Sequence, residues 1–103
     1  MKNSNAQTLW DRRDRLRIMA EIMEIAKGSQ LKTRIMYRAN LSFSQLNEYL
    51  SFLTKMGFLK VNVIDGQKFY ETTDKGNLYI ENYMEMSTLL VSQEPAEVPI
   101  LVR

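Results

Sequence analysis

Apolar positions change their spacing along the chain in an orderly way, and each change marks an expected element. Over about residues 8–27 they recur at helical spacing in two stripes. Leu16, Met19, Met23 and Ala26 form one, with Ala20 beside it; Ile18, Ile22 and Ile25 form the other. A surface helix needs one apolar stripe, so two imply two covered faces. One faces the core, and the other meets the last helix or a second chain. Gly28 is expected to end this helix in the left-handed region.

A short second helix follows over residues 33–39, with Thr33 as N-cap and Ile35, Met36 and Ala39 inward. Asn40 closes it, and Leu41 makes a tight link. Ser42 and Gln45 have the spacing of a capping box for a third helix over about residues 42–56, ended by Gly57. Leu46, Tyr49, Leu50 and Leu53 share its inner face; Ser44, Asn47, Glu48, Ser51 and Lys55 share the opposite one. Period two then takes over. Residues 58–63 read as a strand with Leu59, Val61 and Val63 on one face, Asp65-Gly66 as a tight turn, and residues 68–72 as the return strand. Thr72 or Thr73 caps a last helix over residues 74–90. There Tyr79, Tyr83, Met86 and Leu90 recur at four, three and four, a heptad seam two repeats long. Ile80 and Met84 make a second stripe. The seam either packs on the first helix of its own chain or meets a second copy. Residues 1–7 read as a flexible start. Residues 91–103 read as a tail, polar and then apolar over 98–102, that is disordered or docks on the body or a second subunit.

The order is helix, helix, helix, strand, turn, strand, helix, all within the 103 residues of one small domain. This predicts an α+β fold, mostly α: a winged helix-turn-helix of three helices, a two-stranded wing and a C-terminal dimerisation helix, with residues 8–90 as the domain. The third helix is slim enough to enter a major groove about 12 Å wide, the second braces it, and the hairpin stands beside it.

Composition narrows the function. The chain has no Cys and no His, so a thiol nucleophile, a Cys/His metal site and an imidazole base are all excluded. No cofactor and no metal are expected. No run of about 18 apolar residues is present, which argues against a membrane partner. The polar start lacks the apolar stretch of an export signal, so a cytoplasmic location is expected. The carboxylate pairs Glu21/Glu24 and Glu81/Glu85 read as solvated surface, and no glycine-rich phosphate loop occurs, so the chain is not read as an enzyme. The net charge of +2 hides an asymmetry. Residues 1–38 hold nine basic and four acidic residues, a balance of +5, whereas residues 39–103 stand at −3. A basic third attracts phosphate. The plainer reading is a solvated helix face laced with pairs such as Asp11–Arg15.

Two segments carry a resemblance: residues 31–42, Leu-Lys-Thr-Arg-Ile-Met-Tyr-Arg-Ala-Asn-Leu-Ser, followed by Leu46-Asn47-Glu48-Tyr49-Leu50, and Thr72-Thr73-Asp74-Lys75-Gly76. Over residues 12–90 the chain resembles archaeal winged-helix DNA-binding proteins, small chromatin-type members that dimerise through a C-terminal helix pair. The resemblance implies a homodimer binding double-stranded DNA. Pro95 leaves room for only about two heptads, so a shorter dimer seam is expected here, and a regulator role becomes as plausible as packaging.

On the third helix, Ser44, Gln45, Asn47, Glu48 and Ser51 are the candidate base contacts. Gln45 and Asn47 suit adenine edges and Glu48 suits cytosine N4, while Gln45 is alternatively only part of the cap. The helix has no Arg, which points to modest specificity or indirect readout. Lys32, Thr33, Arg34, Tyr37, Arg38 and Ser42, with Lys68 on the wing, are the candidate backbone contacts, aided by the N-terminus of the second helix. Tyr37 is equally a candidate for the core. Of Arg12, Arg13, Arg15 and Arg17, only some can reach DNA. Ile18, Ile22, Ile25, Tyr79, Tyr83, Met86 and Leu90 are the candidate dimer contacts. The leading expectation is a homodimeric, nucleoid-associated transcriptional regulator that inserts the third helix into the major groove. A chromatin-type protein of low sequence specificity and a protein-interaction module are the alternatives.

Overall fold

Four α-helices and a small antiparallel sheet form the fold, in the order α1 (Ser4–Ile25), β1 (Gln30–Leu31), α2 (Lys32–Ala39), α3 (Phe43–Lys55), β2 (Leu59–Ile64), β3 (Gln67–Thr72) and α4 (Asp74–Leu101). The computed structural model describes the backbone of residues 4–101 and the side chains of residues 15–90. The Asp11–Arg15 pair and the side chains of Arg12 and Arg13 lie outside the described residues, as do residues 1–3.

Local chemistry sets most boundaries. Ser42 caps α3: its Oγ accepts from the Gln45 N–H at 3.1 Å, and the Gln45 side-chain oxygen accepts from the Ser42 N–H at 3.0 Å. Asn40 takes the left-handed conformation that stops α2 (φ 57°). Asp65 and Gly66 both have positive φ, 52° and 77°, the pattern of a two-residue turn whose twist matches the hairpin. Strands β2 and β3 pair from Leu59↔Thr72 to Ile64↔Gln67.

The core gathers Ile22, Met23 and Ala26 of α1, Ile35 of α2, Leu46, Leu50 and Leu53 of α3, Leu59 and Tyr70 of the hairpin and Ile80 of α4. The buried Thr72 hydroxyl donates to the Met23 carbonyl and ties the end of β3 to the end of α1. Thr73 Oγ1 donates to the Gly57 carbonyl at 2.6 Å and accepts the Gly76 N–H at 3.1 Å, so it both caps α4 and holds the loop after α3.

Several sequence expectations are corrected. Helix α1 starts earlier, at Ser4, and closes through a 3₁₀ turn, Ala26–Gly28. The left-handed residue there is Ser29 (φ 63°), not Gly28, because the tighter turn carries the chain one residue further before it reverses. Helix α2 has Leu31 as N-cap with no side-chain capping bond, and Thr33 lies inside the helix, exposed. The reason is a third strand: Gln30↔Tyr70 and Leu31↔Phe69 pair β1 with β3, in the sheet order β1-β3-β2, and leave the helix to begin at Lys32. Two residues are too short a stretch for any period to be read. Of the strand face Leu59, Val61 and Val63, only Leu59 is buried, because the hairpin projects past the core. Helix α4 does not stop near Leu90 but continues past Pro95 and Pro99 to Leu101. Proline keeps a helical φ and removes one hydrogen bond, which bends a helix without having to end it. The room for a seam is therefore a 28-residue helix rather than two heptads.

In the isoleucine stripe of α1, Ile22 is corrected as a candidate dimer contact. Ile22 is fully buried (0%) in the core of its own subunit, and Ile18 and Ile25 are half-buried against it. Helix α1 packs on α2, β3 and α4 at once, so both of its stripes have neighbours within one chain.

Candidate nucleic-acid interface

Three elements, α2, α3 and the hairpin, carry the candidate contact residues. The helix-turn-helix is held by the tight Asn40–Leu41 link, whose N–H groups return to Tyr37 and Met36 carbonyls at 3.3 and 3.2 Å. Ile35 and Leu46 anchor α2 and α3 in the core, which turns the polar face of α3 outward. On that face Ser44, Gln45, Glu48 and Ser51 are exposed and Asn47 is half-buried.

The structure divides these residues between two grooves. Asn47 and Ser51, with Thr54 and Lys55, line a groove of about 380 Å³ whose far wall is Val61 and Tyr70 of the hairpin. Gln45 and Glu48 sit on the other flank, beside Tyr49 and Phe52, over a groove of about 520 Å³ closed by Arg15, Leu16 and Met19 of α1. Ser44 lies between the flanks. The side-chain oxygen of Gln45 is already engaged by the cap, so a bidentate grip on adenine has to share it. Thr54 and Lys55 are wing-side residues that the sequence did not single out as contacts. Their exposure and helical phase with Ser51 were legible, but the wing that makes a groove of them was not.

The basic candidates lie on α2 and the hairpin. Thr33, Arg34, Tyr37 (78% exposed) and Arg38 stand out on α2, with Lys32 half-buried at its start. Tyr37 is therefore not a core residue. The first-turn N–H groups of α2 have no side-chain cap. Ser42 and Lys68 are exposed. Ion pairs among the described residues use Arg17 with Glu21 (3.3 Å), Lys27 with Glu24 (3.6 Å) and Lys60 with Glu71 (3.9 Å). Arg34, Arg38 and Lys68 have no carboxylate partner among those residues and remain open to a phosphate. Glu71 also accepts from Asn62 Nδ2 at 2.9 Å.

Helix α4 divides its seam. Tyr79 is turned inward: its hydroxyl donates to the Leu16 carbonyl at 2.8 Å, and its ring meets Phe58 edge-on at 5.4 Å and stacks on Tyr83 at 6.5 Å. Burial, together with the neighbouring Tyr83 and Tyr49, pushes its phenol up to about 12. Met86 and Leu90 stay exposed, as do Leu78, Met84 and Leu89 elsewhere on the helix. Among the described residues no cluster of acidic residues is placed to hold a metal, and no helix is long and apolar enough to cross a membrane.

This arrangement has a family. The winged helix-turn-helix model matches residues 12–90. The chain belongs to the winged helix-turn-helix family. The chain is similar to a protein of Methanocaldococcus jannaschii, 34% identical over 83 residues, covering 80% of this chain and 81% of that one. A second M. jannaschii protein is 35% identical over 80 residues, and the match spans 77% of this chain but only 36% of that longer protein. Among solved structures, Sso10a-2, a DNA-binding protein from Sulfolobus solfataricus, superimposes with a TM-score of 0.68 at 30% identity, over 85% of this chain and 95% of that one.

Proposed function

We propose that the protein binds double-stranded DNA as a homodimer and acts as a transcriptional regulator, with α3 in the major groove. The observation that carries this reading is the polar outer face of α3, set between the open cations of α2 and the hairpin with Lys68. The likeness to Sso10a-2, a DNA-binding protein, supports it. Asn47, Ser51 and Lys55 then lie toward base edges, while Lys32, Arg34, Arg38, Ser42 and Lys68 take phosphates. Dimerisation draws on the exposed apolar residues of α4, Met86 and Leu90 with Leu78 and Leu89, and a two-fold dimer sets its recognition helices about 34 Å apart. A protein of this kind resides with the nucleoid.

The absence of Arg from α3 and the engagement of Gln45 in the cap favour a second form of the same reading, an architectural protein with little sequence preference. Gel shifts over a salt series test DNA binding. Each phosphate neutralised steepens the dependence of log K on log salt by about 0.9. Arg34→Ala with Arg38→Ala is expected to flatten that slope by nearly two such units, and binding indifferent to salt refutes the reading. Competition between genomic fragments and random duplex separates regulator from architectural protein: a ratio below about 10³ favours the latter.

A further inference from the structure

Phe43 is the one large apolar side chain on the first turn of α3, and it is 56% exposed. It immediately follows the Ser42 cap and precedes the exposed Ser44; the other exposed apolar ring of α3, Phe52, lies on the flank toward α1, away from the first turn. The ammonium of Lys32, at the start of α2, lies 4.8 Å from the centre of its ring. That cation fixes the ring from one side. It also puts a half-buried positive charge beside the tip of the helix that the proposed function directs into the groove.

We infer that Phe43 is a specificity-determining residue that reads the 5-methyl group of thymine, with the Lys32 ammonium against its ring reaching the adjacent phosphate. The inference rests on α3 being the helix that enters the major groove. N-terminal residues of such a helix meet base edges. The thymine methyl is the only apolar group any base edge presents there, so an exposed phenyl ring at that position has one matching partner. Ser, Asn, Gln and Glu on α3 read hydrogen bonds, and Thr54, whose methyl group is also able to meet thymine, lies three turns away toward the other end of the helix. Phe43 thus supplies discrimination that a helix without Arg otherwise lacks, and biases binding toward thymine-containing steps.

The test changes the methyl alone. Binding is measured for an A·T-rich 20-base-pair duplex and for the same duplex with deoxyuridine at every thymidine, and for a G·C-rich duplex with cytosine or 5-methylcytosine. Loss of one buried methyl corresponds to roughly a three- to fivefold loss of affinity. The wild-type protein is expected to lose at least that much on deoxyuridine and to gain on 5-methylcytosine. Phe43→Ser is expected to bind each pair equally, with an unchanged salt slope, and Phe43→Leu to keep part of the difference. Equal wild-type binding to the thymidine and deoxyuridine duplexes overturns the inference while leaving DNA binding intact. So does a loss that persists undiminished in Phe43→Ser, since the methyl effect then arises elsewhere. Failure to bind any of the duplexes at low salt removes the parent reading instead. Thermal melting of both variants checks that the fold is kept.

Discussion

Thr72 and Tyr79 each spend a hydroxyl on a carbonyl of α1, and both bonds close long loops of chain. Thr72 is buried and donates to Met23; Tyr79 is half-buried and donates to Leu16. A buried hydrogen bond contributes about 1 kcal/mol net. Thr72→Val keeps the shape, removes the donor and is expected to cost about 1–2 kcal/mol, read as a lower urea midpoint at unchanged m-value. Tyr79 adds a pH signature. Its folded pKa of about 12 lies above the ordinary 10, so the fold holds the phenol proton more tightly than the unfolded chain does. That contribution is fully present below pH 10 and is lost as pH rises from 10 through 12. Tyr79→Phe is therefore expected to be less stable than wild type at neutral pH, and to lose less of its melting temperature between pH 10 and 12.

Helix α4 enters the core through a gap that only a residue without a side chain can fill. A Cβ on Gly76 meets the Phe58 carbonyl oxygen and lies 2.6 Å from Thr72 Cγ2. In an open helix Gly→Ala gains about 1 kcal/mol of helix propensity. Here the clash is with backbone that Thr73 already holds in place, and overpacking costs about 1–3 kcal/mol. Gly76→Ala is expected to lower thermal stability, and a melting temperature above wild type would contradict this packing. At the first turn of α3, Ser42 caps the helix where the proposed function places DNA. Ser42→Ala removes about 1 kcal/mol and loosens the turn that carries Phe43 and Ser44.

As a whole, the molecule separates its two proposed jobs. The cations and polar face are carried by α2, α3 and the wing, and the exposed apolar residues by α4. The first job needs charge and the second needs area, so they can be uncoupled. Leu90→Glu is expected to shift sedimentation from dimer to monomer and to weaken DNA binding by loss of the second site, with the single-site salt slope kept. A dimer unchanged by both Leu90→Glu and Met86→Glu refutes the α4 seam.

Element order, the capping box, the Asp-Gly turn and most of the core were legible in the residues, because caps and turns are local chemistry and apolar period reports the buried face. The outward polar face of α3 was legible for the same reason. What period cannot tell is which neighbour covers an apolar face. Ile22 and Tyr79 looked ready for a second chain, yet α1 and α4 consume them within one subunit. Strand β1 and the inward turn of Tyr79 depend on residues about forty to sixty positions apart, and the groove between α3 and the hairpin joins two elements that no shared period links. Those pairings are set by how the helices pack around one small core, a competition among distant partners that no local pattern encodes.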